Sequence, residues 1–457
     1  MKKKILSLLA ICFVVISIFT MSGCGAIWLS GGPAKTDTIT GNGSLSVRKG
    51  DYLYFVNGYV SNSTLENDDN NYGVAKNGAI YRAKLQNGKL MYDVTENEDG
   101  EEVKTLKNIE LLVPMVAGFE YTNLYIFGET LYFTTPNTEK DNTGKIRFDL
   151  TDVFAVNISG GKPSKIANAI NLTSKDNIAF SYLDGSVYVT YLSNNALYNV
   201  KATGTNVNST KKFEGTVSSI AFGENSVYYT RSFIEGENTI TGNVLAKLNL
   251  KESKEEILLR DNYNTYSVKA VKNGKLYYTK TNALTTNAYI YSRNTEDFVI
   301  SEEKQYTAVA YTSNQYIIDT LEGYNNGVLV NENNKLMLLT GINNPETDII
   351  SLYEGAFTYL GSYGPFVYGK DTDGNLIRVN IQTKASEVLV EKTTAINLDM
   401  NVNFDYETGY VYYYVSYTGE NDNVGYYLNR TYIEQTEKES ELVGVVLNEH
   451  ISVETEE

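Results

Sequence analysis

The chain has 457 residues, a formal charge of −16 and an unusual aromatic content of 38 Tyr against 16 Phe and one Trp. Two cysteines and one histidine in the whole sequence exclude a disulfide framework, a cysteine-ligated zinc and a histidine-rich metal centre. The acidity argues against nucleic acid and anionic lipid headgroups as partners, and no cofactor is expected.

The first segment, "MKKKILSLLAICFVVISIFTMSGC", places Lys2, Lys3 and Lys4 before an apolar run from Ile5 to Met21 and ends on Ser22, Gly23 and Cys24. This is the order of an export signal rather than of a folded element. It resembles the lipobox of bacterial lipoproteins, and the resemblance implies cleavage before Cys24 and a diacylglycerol, with palmitate-type chains, on its thiol. Apolar length alone would also permit an uncleaved transmembrane anchor. In either case the bulk of the chain lies outside the cytoplasm. Because Cys12 falls in the leader and Cys24 carries the lipid, the mature chain has no free thiol, and losing three lysines takes its charge to −19 (−16 − 3). Residues 24–43, rich in Gly, Ser and Thr, read as a flexible tether.

From residue 44 onward one pattern recurs. Tyr-rich apolar bursts begin at 52 (YLYFVN), 131 (LYFTTP), 187 (VYVTYL), 227 (VYYTRS), 276 (LYYTKT), 328 (VLVNEN), 367 (VYGKDT) and 411 (VYYYVS). The intervals are 79, 56, 40, 49, 52, 39 and 44 residues, most of them near the period of a propeller blade. Short turns, GE at 128–129, DG at 184–185, EN at 224–225 and NG at 273–274, precede several bursts and follow another strand-like segment, as in hairpins. Third strands follow in AIYRAKL, GNVLAKLNL, AYIYSRN and LIRVNI, and fourth strands in KEEILL and SEVLVE.

Such a four-stranded meander cannot cover both of its faces alone. Units must therefore stack, and stacking in a ring removes most exposed edges. The expected fold is all-β, a β-propeller of seven or eight four-stranded blades over residues 44–447, with an acidic tail at 448–457. A sandwich series or a β-helix would also give many short strands. The segment FVYGKDTDGNLIRVNIQTK (366–384), the KLYYTKT burst and the arginine-bearing third strands resemble the YWTD-type propellers of lipoprotein-receptor ectodomains. Together with the lipobox they resemble uncharacterised bacterial lipoproteins with such propellers.

Candidate chemistry is sparse. His450 lies in the acidic tail, where a solvated role is expected. Asp371 and Asp373 in DTDGN begin like a calcium loop but lack its terminal glutamate, and a turn accounts for them. The sequences NTGK (142–145) and GGK (160–162) lack the spacing of a phosphate loop. No catalytic, metal or cofactor-binding residue is singled out; Cys24, as the lipidation site, is the one assigned position. The expected function is a monomeric, lipid-anchored, extracytoplasmic binding or scaffolding module for a protein, peptide or glycan. A carboxylate-only polysaccharide hydrolase or lyase is the alternative, since paired Asp/Glu can cleave a glycosidic bond without histidine or metal.

Overall fold

A computed structural model describes residues 40–443 apart from 45, 58, 62–78, 97–99, 101, 114–123, 138–140, 145–149, 173–176, 184, 203–209, 212–215, 224, 236–238, 262, 283, 285–287, 307–315, 319–326, 333, 344–347, 399–401, 407, 419–423 and 435–438. The described strands form eight sheets of four or more strands and one two-stranded ribbon. Numbered in chain order, blade 1 comprises Ser46–Lys49, Tyr52–Val56, Ile80–Lys84 and Ile109–Val113. The others occupy 124–170, 178–211, 217–261, 264–305, 316–354, 358–390 and 396–443. Each is an antiparallel meander whose four strands lie in chain order.

Eight apolar clusters among the described residues join each sheet to the next. The cluster between blades 8 and 1, with Tyr412, Tyr414, Leu428 and Val443 against Leu53, Phe55 and Tyr81, closes the stack into a ring. Polar contacts fasten the same seam. Asn403 Nδ2 donates to the Ser46 carbonyl at 3.1 Å and to its Oγ at 3.0 Å, and the Tyr92 hydroxyl donates to the Leu442 carbonyl at 2.8 Å. Strand Tyr59–Ser61 of the blade 1 connection also pairs with Val424–Tyr432 of blade 8. The molecule is an eight-bladed β-propeller.

All eight bursts are second strands, including the tyrosine-free Val328–Glu332. Blade 1 accounts for the long first interval. Its second-to-third connection runs over 57–79, and a ribbon, Tyr92–Glu96 with Glu102–Leu106, is inserted between its third and fourth strands. The NG turn has the expected conformation, with Asn273 and Gly274 both at positive φ (47° and 68°), as a two-residue hairpin requires. The segment read as a tether ends sooner than its Gly-rich composition suggests, because Thr40–Ser44 is a strand paired with Leu124–Phe127 on the inner edge of blade 2. A free backbone edge at the channel wall offers hydrogen bonds that composition does not reveal.

The tyrosines and third-strand arginines form one repeated device. In blades 1, 7 and 8, the trios Tyr54–Arg82–Glu110, Tyr368–Arg378–Glu387 and Tyr412–Arg430–Glu441 each lie in one row across strands two, three and four. Each guanidinium sits over the aromatic ring two residues before the tyrosine: Tyr52 at 5.0 Å, Phe366 at 4.4 Å and Tyr410 at 3.9 Å. Two of these arginines reach the following blade: Arg82 donates to the Ile158 carbonyl at 2.8 Å, and Arg378 donates to Glu434 Oε1 at 2.5 Å.

Candidate functional site

A meander places its first-to-second and third-to-fourth connections at one end of the ring, the lower face, and the remaining connections at the upper face. On the lower face, at the inner rim between blades 7 and 8, three aromatic rings form a stack. Tyr363 ends the first strand of blade 7 (Thr358–Tyr363), while Phe404 and Tyr406 lie at and just after Asn403–Asp405, in the first part of blade 8. The Tyr363 and Tyr406 rings are 4.8 Å apart and 5° from parallel, and Tyr406 and Phe404 are 5.4 Å apart and 4° from parallel. Tyr363 is 55 % exposed, so with one ring face against Tyr406 its other face is presented to solvent.

The local sequence explains the placement. Gly364 has φ 53°, a left-handed conformation suited to glycine, and with Pro365 it makes the turn that returns the chain from Tyr363 to Phe366. At Gly361 a side chain would begin 2.5 Å from the Tyr406 hydroxyl, so the bare backbone there makes room for the stack. Asp405 holds the other turn through Thr408 Oγ1, which donates to it at 2.6 Å. Below the rings, Tyr368 packs against Phe404 at 4.8 Å and Tyr406 at 5.3 Å.

Outward from Tyr368 lies Arg378, whose Nε donates to Glu387 at 2.8 Å and whose Nη1 donates to Glu434 at 2.5 Å. Burial pulls this guanidinium down, but the hydrogen bonds to Glu434 and Glu387 outweigh it and hold Arg378 above its ordinary value. Burial likewise raises the Tyr368 phenol, with Arg378 opposing. Glu387 and Glu434, outward of the platform, are thus both engaged by one cation. The arrangement offers a flat apolar ring face with the hydrogen-bonded Asp405–Thr408 turn next to it, which suits stacking of a sugar ring or another planar group.

Other candidates are less developed. Lys269 is the extra residue in the bulge of blade 5's first strand, a device that re-aims side chains, and burial lowers its amine. A depression of about 170 Å³ between blades 4 and 5 is lined by Lys247, Glu256, Asp297 and Val299 among others. Asp371 serves a turn, accepting from the amides of Asp373 at 3.0 Å and Asn375 at 2.9 Å. Gly160 and Gly161, at φ 105° and 125°, also belong to a turn. Among the described residues no group of three or more His, Cys, Asp or Glu could hold a metal ion. Cys24 and His450 lie outside the described residues. The platform residues escaped sequence reasoning because they sit in YLGSYGPF and NFDYETGY, outside the recurring second-strand bursts. The available signal was an aromatic flanking each first-to-second turn.

No protein-family model matches the chain, and no curated protein does. Among solved structures it is similar to a puromycin hydrolase S511A mutant complexed with PGG (9% identity, TM-score 0.46, covering 70% of this chain and 53% of that one). The chain thus spans about half the length of that protein. It is also similar to an oligogalacturonate lyase from Vibrio parahaemolyticus (12%, TM-score 0.42, 74% and 96%). A third likeness is to the β-propeller domain of the Trilobed protease from Pyrococcus furiosus (11%, TM-score 0.42, 71% and 95%). These likenesses assign neither substrate nor partner to this chain.

Proposed function

We propose that the protein is a non-catalytic, glycan-binding lipoprotein of the bacterial cell envelope, held at the extracytoplasmic face of the membrane through a diacylglycerol on Cys24. The observation that carries the binding role is the near-parallel stack of Tyr363, Tyr406 and Phe404, whose outermost ring is more than half exposed. An open, pre-stacked ring loses little side-chain freedom when a ligand settles on it. Asp405, between two of the stacked residues, is held by Thr408, and Glu387 and Glu434 farther out are both bound by Arg378, which favours a binding role over paired-carboxylate hydrolysis.

The test is an oligosaccharide screen with the lipid-free mature chain, followed by calorimetry on the hits. Tyr363→Ala should weaken binding at least about tenfold, the equivalent of about 1.4 kcal/mol, without altering the melting temperature. Gly361→Ala should weaken it too, by displacing Tyr406. Binding that survives both changes, or substrate cleavage that persists in them, would reject the proposal.

A further inference from the structure

The position of strand Thr40–Ser44 bears on where this platform points. Its partner Leu124–Phe127 is a first strand and runs from the upper to the lower face. Because the pairing is antiparallel, with Thr40 opposite Ile126 and Ser44 opposite Leu124, the chain climbs from the lower face to the upper before entering blade 1. The described chain therefore begins, at Thr40, at the mouth of the channel on the lower face. That is the face bearing Tyr363 and Tyr406.

We infer that the platform-bearing lower face is turned toward the membrane and that the glycan it takes is a glycolipid headgroup. This rests on the anchoring at Cys24 and the glycan reading given above. Sixteen residue steps separate Cys24 from Thr40, at most about 56 Å of chain. For the upper face to meet the bilayer, that length would have to cross the lower face and then climb the side of the ring. Four strands at ~4.8 Å spacing, with the added inner strand, make the first leg roughly 20 Å, and seven or eight residues of strand make the second ~25 Å. The path consumes most of the full extension. A coil of that length, as the Gly/Ser/Thr-rich composition suggests, spans only about 22 Å, which suits the lower face.

Charge near the platform is close to balanced among the described residues: Arg378 and Lys384 stand against Asp405, Glu387 and Glu434, two cations against three anions, and Arg378 binds both glutamates. The acidic turns elsewhere on the face are screened beyond about 8 Å at physiological salt.

The thiol-free mature chain allows a direct test. Gln382→Cys and Asp373→Cys place a fluorophore at opposite ends of blade 7, both at exposed turn positions, the first on the lower face and the second on the upper. The lipidated full chain is reconstituted in phosphatidylethanolamine/phosphatidylglycerol vesicles carrying an acceptor-labelled headgroup, with and without a diglycosyl diacylglycerol. Energy transfer from position 382 should exceed that from 373 by roughly twofold, given ~20 Å between the blade ends. In a second arm, a lipid-free chain of residues 25–457 should sediment with glycolipid vesicles several-fold more than with plain ones, and Tyr363→Ala should abolish the difference. Equal or reversed transfer would overturn the orientation even if soluble glycans bind. Correct orientation with no glycolipid-dependent sedimentation would overturn the ligand class. Absence of the diacylglycerol mass on Cys24 would reject the anchoring itself.

Discussion

Tyr277 and Tyr278 are adjacent and fully buried, yet they belong to different cores: Tyr277 packs toward blade 6 and Tyr278 toward blade 4. Tyr228 and Tyr229 divide in the same way, and so do Tyr412 and Tyr413. Successive side chains of a strand point to opposite faces, so a tyrosine doublet serves two inter-sheet seams at once. Three of the hydroxyls find partners near the margins: Tyr229 donates to Glu255 at 2.6 Å, Tyr278 donates to Glu303, and Tyr413 shares a hydrogen bond with Thr431 at 2.7 Å. Arg378 has the same bridging quality, since it ties three strands of its own blade to Glu434 of the next. Replacing it with Met removes those bonds and leaves two half-exposed carboxylates facing each other. Removing one member of a fully buried ion pair costs about 3–5 kcal/mol; with both glutamates near half-exposed, solvent screening reduces this to roughly 2 kcal/mol. Urea unfolding of Arg378→Met should show that loss, and an unchanged midpoint would mean the bridge is ornamental.

At the scale of elements, periodicity was readable wherever packing imposed it. Each burst sits on a second strand because that strand is flanked on both faces by neighbouring sheets, so its apolar positions run continuously and stand out from the polar turns. Even Val328–Glu332, without a tyrosine, keeps three consecutive buried apolar residues at 328–330. Blade number could not be counted from spacing alone, because the inserted ribbon Tyr92–Leu106 stretches the first unit while leaving its four strands intact. Strand Thr40–Ser44 was hidden for a different reason. TGNGS has no apolar pattern, and its pairing depends on a backbone edge more than 80 residues away. The platform was hidden likewise, since it joins turns of two blades. Because the inner strand adds backbone bonds to one edge only, a chain starting at Ser46 should keep the eight-bladed far-UV circular dichroism signature. It should melt several degrees lower; loss of the fold would show that this strand nucleates the ring.

At the scale of the whole molecule, the tyrosine-lined seams make stability depend on alkaline pH. Burial raises the phenols of Tyr132, Tyr229, Tyr277, Tyr278 and Tyr414 well above their ordinary value, and pushes Tyr266 and Tyr412 up to about 12. The folded state thus holds protons that the unfolded chain releases near pH 10. Below pH 10 both states keep them and the contribution is complete; as pH rises from 10 through the folded values it is lost. Absorbance at 295 nm should therefore show these seven tyrosines missing from the ionisation near pH 10 and appearing together with unfolding, whereas a single transition centred at 10 that includes them would mean the seams are open to water.

The claim on which the others depend is that the first and last sheets meet. Ser46 and Asn403 lie across that seam, with Asn403 Nδ2 3.0 Å from Ser46 Oγ, and residues 25–457 contain no cysteine to compete. Purified Ser46→Cys/Asn403→Cys, treated with a short fluorogenic bis-thiol reagent, is the most direct measurement. A closed ring predicts rapid intramolecular cross-linking in the native protein that is lost in urea and absent from either single variant. Cross-links forming only between molecules, or no faster in the native protein than in urea, would contradict it.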